Sequence, residues 1–127
     1  MGPEGPQGEG MNWEVLNIDV PSGSWKEYDG YLCSTVSVKQ LTEFICNEGM
    51  VQAYIVYADG SQTLLPATRY CSYTNTDADG NKYEVYYQRL IDFEFSVGKV
   101  DLYYNITDFY YGDDWPDNMQ LRLVLQW

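Results

Sequence analysis

Ile91-Asp92-Phe93-Glu94-Phe95-Ser96-Val97-Gly98-Lys99-Val100-Asp101-Leu102-Tyr103-Tyr104-Asn105-Ile106 alternates apolar and polar side chains on both sides of a single glycine. Alternation at period two is the signature of a half-buried strand, and two such runs around a glycine read as a β-hairpin. Glycine in the first turn position suits a two-residue type II′ turn at Gly98-Lys99. In that register Val97 faces Val100, Phe95 faces Leu102, Phe93 faces Tyr104 and Ile91 faces Ile106, while Ser96, Glu94 and Asp92 face Asp101, Tyr103 and Asn105. One face is wholly apolar and the other largely polar, so a slip of one residue would turn four apolar pairs outward.

The same rhythm extends in both directions. A second hairpin runs from Tyr54-Ile55-Val56-Tyr57 through Asp59-Gly60, a type I′ signal, to Thr63-Leu64-Leu65, with Pro66 ending the returning strand. Both of its faces are fairly apolar, which predicts a central position in a sheet or a face covered by another chain. Leu16, Ile18 and Val20 alternate with Asn17 and Asp19 before Pro21-Ser22-Gly23, and a second strand holds Leu32, Val36 and Val38. Further strands are expected at Arg69 to Thr74 and Tyr83 to Gln88, joined across Asp77-Ala78-Asp79-Gly80-Asn81. The last strand sets Met119, Leu121, Leu123, Leu125 and Trp127 against Gln120, Arg122 and Gln126, which docks Trp127 in the core. Only Val38 to Ile45 breaks the pattern: Val38, Leu41, Phe44 and Ile45 take helical spacing and Gly49 supplies a stop. The expected fold is therefore all-β, an antiparallel β-sandwich, jelly-roll-like or immunoglobulin-like, with one short helix.

The chain has 127 residues, enough for one domain with a single core. Its first ten residues differ from the rest. Gly2, Gly5 and Gly8 recur at every third position in Gly-Pro-Glu-Gly-Pro-Gln-Gly-Glu-Gly, the spacing of a collagen triple helix, whose axis admits only glycine. Residues 1–10 thus read as a collagen-like stub and residues 11–127 as a β-sandwich head. The chain reads as a fragment, with its natural N-terminal part and any export signal upstream.

Seven basic residues stand against 19 acidic ones, for a formal charge of −12. Such a field repels phosphate backbones and anionic membranes, so nucleic acid is an unfavourable partner. No run approaches the roughly 18 apolar residues of a membrane span, so no membrane insertion by this fragment is expected. Three cysteines, Cys33, Cys46 and Cys71, lack Cys-x-x-Cys spacing, and the chain contains no histidine to complete a mixed zinc site. They read as small core residues, with a single disulfide of unassigned pairing as the rival.

The stub, Asn12-Trp13-Glu14-Val15, Gln40-Leu41-Thr42-Glu43-Phe44-Ile45, Val56-Tyr57 with Asp59-Gly60, and the closing Leu123-Val124-Leu125-Gln126-Trp127 resemble the C-terminal globular domains of collagen-like-repeat surface proteins of Bacteroides-type bacteria. The resemblance covers nearly all of the chain. It implies a place at or beyond the outer cell surface, through an upstream lipid anchor, and a non-enzymatic role; it assigns no site residue. A looser analogy connects the chain to complement-type and tumour-necrosis-factor-like heads, trimeric β-sandwiches on collagen-like stalks.

Catalysis is disfavoured by the residues themselves. Without histidine, Ser-His and Cys-His mechanisms are closed, and a paired-carboxylate glycosidase needs a cleft that a domain of this size has little volume to build. Asn75-Thr76-Asp77-Ala78-Asp79-Gly80-Asn81 resembles the opening of a calcium loop, which would make Asp77, Asp79 and Glu84 the ligands. Tyr86 stands where the loop's twelfth-position carboxylate belongs, and a turn between strands accounts for the same letters. No other cofactor is expected. Asp108-Phe109-Tyr110-Tyr111-Gly112-Asp113-Asp114-Trp115-Pro116-Asp117 sets aromatic rings among carboxylates; rings stack on sugars and carboxylates accept hydroxyl protons, so Tyr110, Tyr111, Asp113, Asp114 and Trp115 form a candidate ligand face. Packing of the aromatics, with Trp115-Pro116 capping the sandwich, is the competing reading. The expected function is a trimerising head on a surface stalk, with a glycan- or protein-binding module as the alternative.

Overall fold

The computed structural model describes residues 11–107 and 115–127, and the collagen-like stub lies outside them. Among the described residues nine strands form two antiparallel sheets. In chain order they are β1 (Trp13–Val20), β2 (Lys26–Tyr28), β3 (Tyr31–Ser37), β4 (Met50–Val56), β5 (Gln62–Leu64), β6 (Ala67–Thr76), β7 (Lys82–Ser96), β8 (Lys99–Ile106) and β9 (Met119–Gln126), with a 3-10 turn at Ser22–Ser24 and one helix, α1 (Glu43–Glu48). One sheet has the order β1-β9-β4-β5, the other β2-β3-β8-β7-β6. The all-β sandwich with one short helix is borne out.

The core lies where alternating positions of the two sheets meet. Leu121, Leu123, Leu125, Ala53 and Ile55 from the first sheet face Leu32, Val100, Leu102, Tyr104 and Ile91 from the second, all fully or nearly fully buried. Trp25 enters between them and meets the Tyr104 ring edge-on at 5.9 Å. Ser34 is the one buried polar side chain among the described residues. Ser24 already donates to the Pro21 carbonyl at 2.7 Å, so the 2.8 Å contact between the two hydroxyls has Ser34 as donor and leaves neither unsatisfied.

β9 occupies the centre of its sheet, paired with β1 on one side and β4 on the other. Trp127 continues that pairing through two backbone hydrogen bonds with Asn12, at 2.6 and 3.1 Å, and packs half-buried against the core.

Three expectations change in detail. The deciding hairpin pairs Ser96 with Lys99, Phe95 with Val100, Phe93 with Leu102 and Ile91 with Tyr104, two residues away from the expected register. Its turn is Val97-Gly98, with Gly98 in the second loop position at φ +83°. A slip of two keeps every side chain on its face, so the alternation that excludes a one-residue slip is blind to this one. Second, Tyr83 to Gln88 and Ile91 to Ser96 are not separate strands: β7 is one strand of 15 residues. Third, the helix begins at Glu43. Thr42 caps it, its hydroxyl accepting from the Ile45 amide at 3.2 Å. Val38 and Leu41 are buried from the preceding turn, and Phe44 points outward, 59% exposed.

Candidate functional site

The hairpin loops at Asp59-Gly60 and at residues 77–81 have one geometry. In each, the glycine amide donates back three residues, Gly60 to Tyr57 at 2.9 Å and Gly80 to Asp77 at 3.1 Å, and the glycine takes positive φ. Both are three-residue loops, so Asp59-Gly60 is not the two-residue type I′ turn its sequence suggests. Asp59 Oδ1 accepts from the amide and hydroxyl of Ser61, which holds its carboxyl below the usual range. Asp77 Oδ1 likewise accepts from the amides of Asp79 and Asn81, both at 2.9 Å. Glu84 lies on β7 and accepts from the Thr74 hydroxyl across the ribbon. Asp77 is thus engaged by the turn and Glu84 by the strand pairing, while Asp79 contributes its backbone amide, and among the described residues no three metal-ligating side chains gather in one place.

Of the aromatic-acidic loop, Tyr110, Tyr111, Asp113 and Asp114 lie outside the described residues. Trp115 is placed. Its indole N–H donates to the Ser22 carbonyl at 2.9 Å, Asn118 accepts from the Ser22 amide at 2.7 Å, and Pro116 is buried. These contacts tie the entry to β9 against the 3-10 turn, while 37% of Trp115 stays exposed.

All three cysteines are free and half-buried. Only Cys46 packs on the core; Cys33 and Cys71 sit on β3 and β6. Burial, reinforced by the nearby charges of Asp101 and Glu94, pushes the Cys33 thiol up against a weaker opposing hydrogen bond with Thr35. A raised thiol is a poor nucleophile at neutral pH.

The constellation that sequence spacing did not reveal lies on the outer face of the five-stranded sheet. Tyr28 and Tyr31, paired across β2 and β3, stack at 5.3 Å with 18° between the rings, and Tyr103 of β8 meets Tyr31 edge-on at 5.7 Å. The Tyr103 hydroxyl donates to Glu94 at 2.8 Å, which raises its pKa because ionisation would set phenolate against carboxylate. Asp92 lies opposite Tyr103 in the ladder, and Tyr31, Leu90, Asp92, Tyr103 and Asn105 line a shallow hollow of ≈ 230 Å³. These residues come from three stretches of the chain, 28–31, 90–94 and 103–105, which β-pairing brings together. The row offers ring faces beside hydrogen-bond acceptors, the chemistry expected of the loop at 108–117, at a different address.

A second open hollow of ≈ 510 Å³ lies at one end of the sandwich against Val20, Pro21, Val56, Tyr57, Asn118 and Met119, with Asp19 as its one carboxylate among the described residues. No helix among the described residues is long and apolar enough to cross a membrane. No family model, curated protein or solved structure matches the chain.

Proposed function

We propose that the chain is the non-enzymatic head of a collagen-like stalk at or beyond the cell surface, and that it brings three chains together. The observation that carries this reading is the placement of Gly2, Gly5 and Gly8, three residues apart, immediately ahead of the first strand of a sandwich. A Gly-X-Y chain has no stable structure alone; it needs two others in register, and a folded domain at the end of the repeats is the natural place for them to meet. A non-catalytic role is supported by the absence of histidine from the sequence, which closes the Ser-His and Cys-His mechanisms. Sedimentation equilibrium of the 127-residue chain from about 5 to 200 μM, the range in which modest interfaces saturate, tests the reading. A species of three times the 14.7 kDa chain mass is expected, and a monomer throughout would overturn it.

A second reading, a saccharide-binding module carried by the same stalk, is favoured by the Tyr28-Tyr31-Tyr103 row with Glu94 and Asp92 beside it. Ring faces suit the apolar face of a sugar, and the carboxylates suit its hydroxyls. A glycan array probed with the wild type and with Tyr31→Ala decides this: a signal that the variant loses supports the row, and a signal that survives removes it.

A further inference from the structure

The outer positions of the four-stranded sheet are Trp13, Val15, Asn17 and Asp19 on β1, Gln120, Arg122, Val124 and Gln126 on β9, Met50, Gln52, Tyr54 and Val56 on β4, and Gln62 and Leu64 on β5. An antiparallel sheet with one solvated face ordinarily alternates apolar inside with polar outside. This face does not. Trp13, Met50 and Leu64 are more than half exposed, at 61%, 53% and 52%, and Val15 is 38% exposed. Between them Val124 is covered and Tyr54 lies under the Arg122 guanidinium at 4.9 Å.

We infer that this face is the surface through which copies of the chain meet, with the β1 margin of one copy packed against the β4–β5 margin of the next around a three-fold axis. The inference rests on the trimeric reading above and names the surface that reading needs.

Three observations point to a second copy as the occupant. The first is charge. The chain carries −12, yet among the described residues Asp19 and Arg122 are the only charged positions on the face, and both are engaged within the chain, Asp19 by Gln120 at 3.2 Å and Arg122 by Tyr54 and Gln62. Copies of a strongly acidic molecule repel each other everywhere except across a neutral patch. The second is position. The Gly-X-Y residues end at Gly10, and Met11 lies on this same face, its sulfur accepting from the Gln126 amide at 3.5 Å. Three chains wound on one axis deliver their heads with Met11 and Trp13 close to that axis, so the β1 margin is turned toward its neighbours. The third is shape. Apolar side chains stand at both margins, Met11, Trp13 and Val15 on one and Met50 and Leu64 on the other, which is what a heterologous contact that closes into a ring requires.

Size sets the strength. Strands of 8, 8, 7 and 3 residues, about 3.3 Å per residue and about 4.8 Å apart, give roughly 400 Å² in projection, divided between two neighbours, against about 800 Å² per partner in a standard interface. The contact is therefore weak by itself and is strengthened when the repeats hold the heads at high effective concentration.

The test is the introduction of complementary charges across the contact, read by sedimentation equilibrium on the full chain, with circular dichroism to establish that each variant folds. Val15→Lys and Leu64→Glu are both exposed changes. Each alone is expected to weaken trimer formation at least tenfold, and the double variant, which places a lysine of one copy beside a glutamate of the next, is expected to recover most of the loss. Tyr70→Lys, on the ribbon of the other sheet, should leave assembly unchanged. A wild-type trimer that Val15→Lys and Leu64→Glu leave intact would overturn this face while sparing the trimeric reading. A wild-type monomer would overturn both.

Discussion

At the scale of single residues, Gly49 shows how differently two glycines can be required. Its φ of −105° is open to any residue, so backbone freedom is not the reason for it. A Cβ there would stand 2.3 Å from the Gln126 carbonyl oxygen and 3.1 Å from the Trp127 Cβ, because the end of α1 lies directly against the end of β9. Gly49→Ala must push helix and strand apart, and overpacking of this kind costs about 1–3 kcal/mol. Gly23 is the matched control, since a Cβ added there would meet nothing within 4 Å and its φ is not positive. Gly23→Ala should be neutral or stabilising by up to about 1 kcal/mol through the unfolded chain. Urea midpoints of the two variants, compared at constant m-value, check both. The sequence marks Gly49 as a helix stop, and it is one, but no local signal reveals that its missing side chain makes room for residues 126 and 127.

At the scale of elements, the strands were legible and their exact pairing was not. Each β-strand has a side-chain period of two, so the pattern from Ile91 to Ile106 excludes odd slips and permits even ones. What selects the observed register is the loop: Gly98 has φ +83° and therefore holds the second turn position, with Ser96 and Lys99 paired across it. Gly98→Ala meets no steric neighbour, so its cost is backbone alone, about 1–2 kcal/mol for a left-handed alanine. Gly98→Asn should cost less, since asparagine tolerates that region. Thermal or urea unfolding of the two variants gives the order, and an alanine as stable as the wild type would contradict the turn. The break expected between Gln88 and Ile91 fails for a related reason. Arg89 and Leu90 interrupt no backbone pairing; β7 simply changes partners there, from β6 along its first part to β8 along its last, and residues 89–91 pair with both. The helix starts later than its spacing suggests because Val38 and Leu41 carry helical spacing into a turn that buries them without being helical, and the Thr42 cap decides where α1 starts.

The whole molecule sorts its two outer faces by chemistry, which neither residue nor element reveals alone. Tyr28, Tyr31 and Tyr103 become a row only through the β2-β3-β8 ladder, and Trp13, Met50 and Leu64 become a patch only through β1-β9-β4-β5. Composition did announce the underlying conflict: 45% hydrophobic residues and a charge of −12 in one small chain. If copies meet across the neutral sheet, the apolar contact must work against the repulsion of the remaining surface, and that repulsion is screened by salt over about 10 Å at 0.1 M. Raising sodium chloride from about 0.02 to 0.5 M should then tighten association several-fold, because the long-range term is unfavourable and the buried contact carries almost no charge. An interface built from opposite charges would loosen over the same range. Sedimentation equilibrium across a salt series separates the two by sign alone. Weakening with salt would place the contact on charged surface, away from the face that Trp13, Val15, Met50 and Leu64 define.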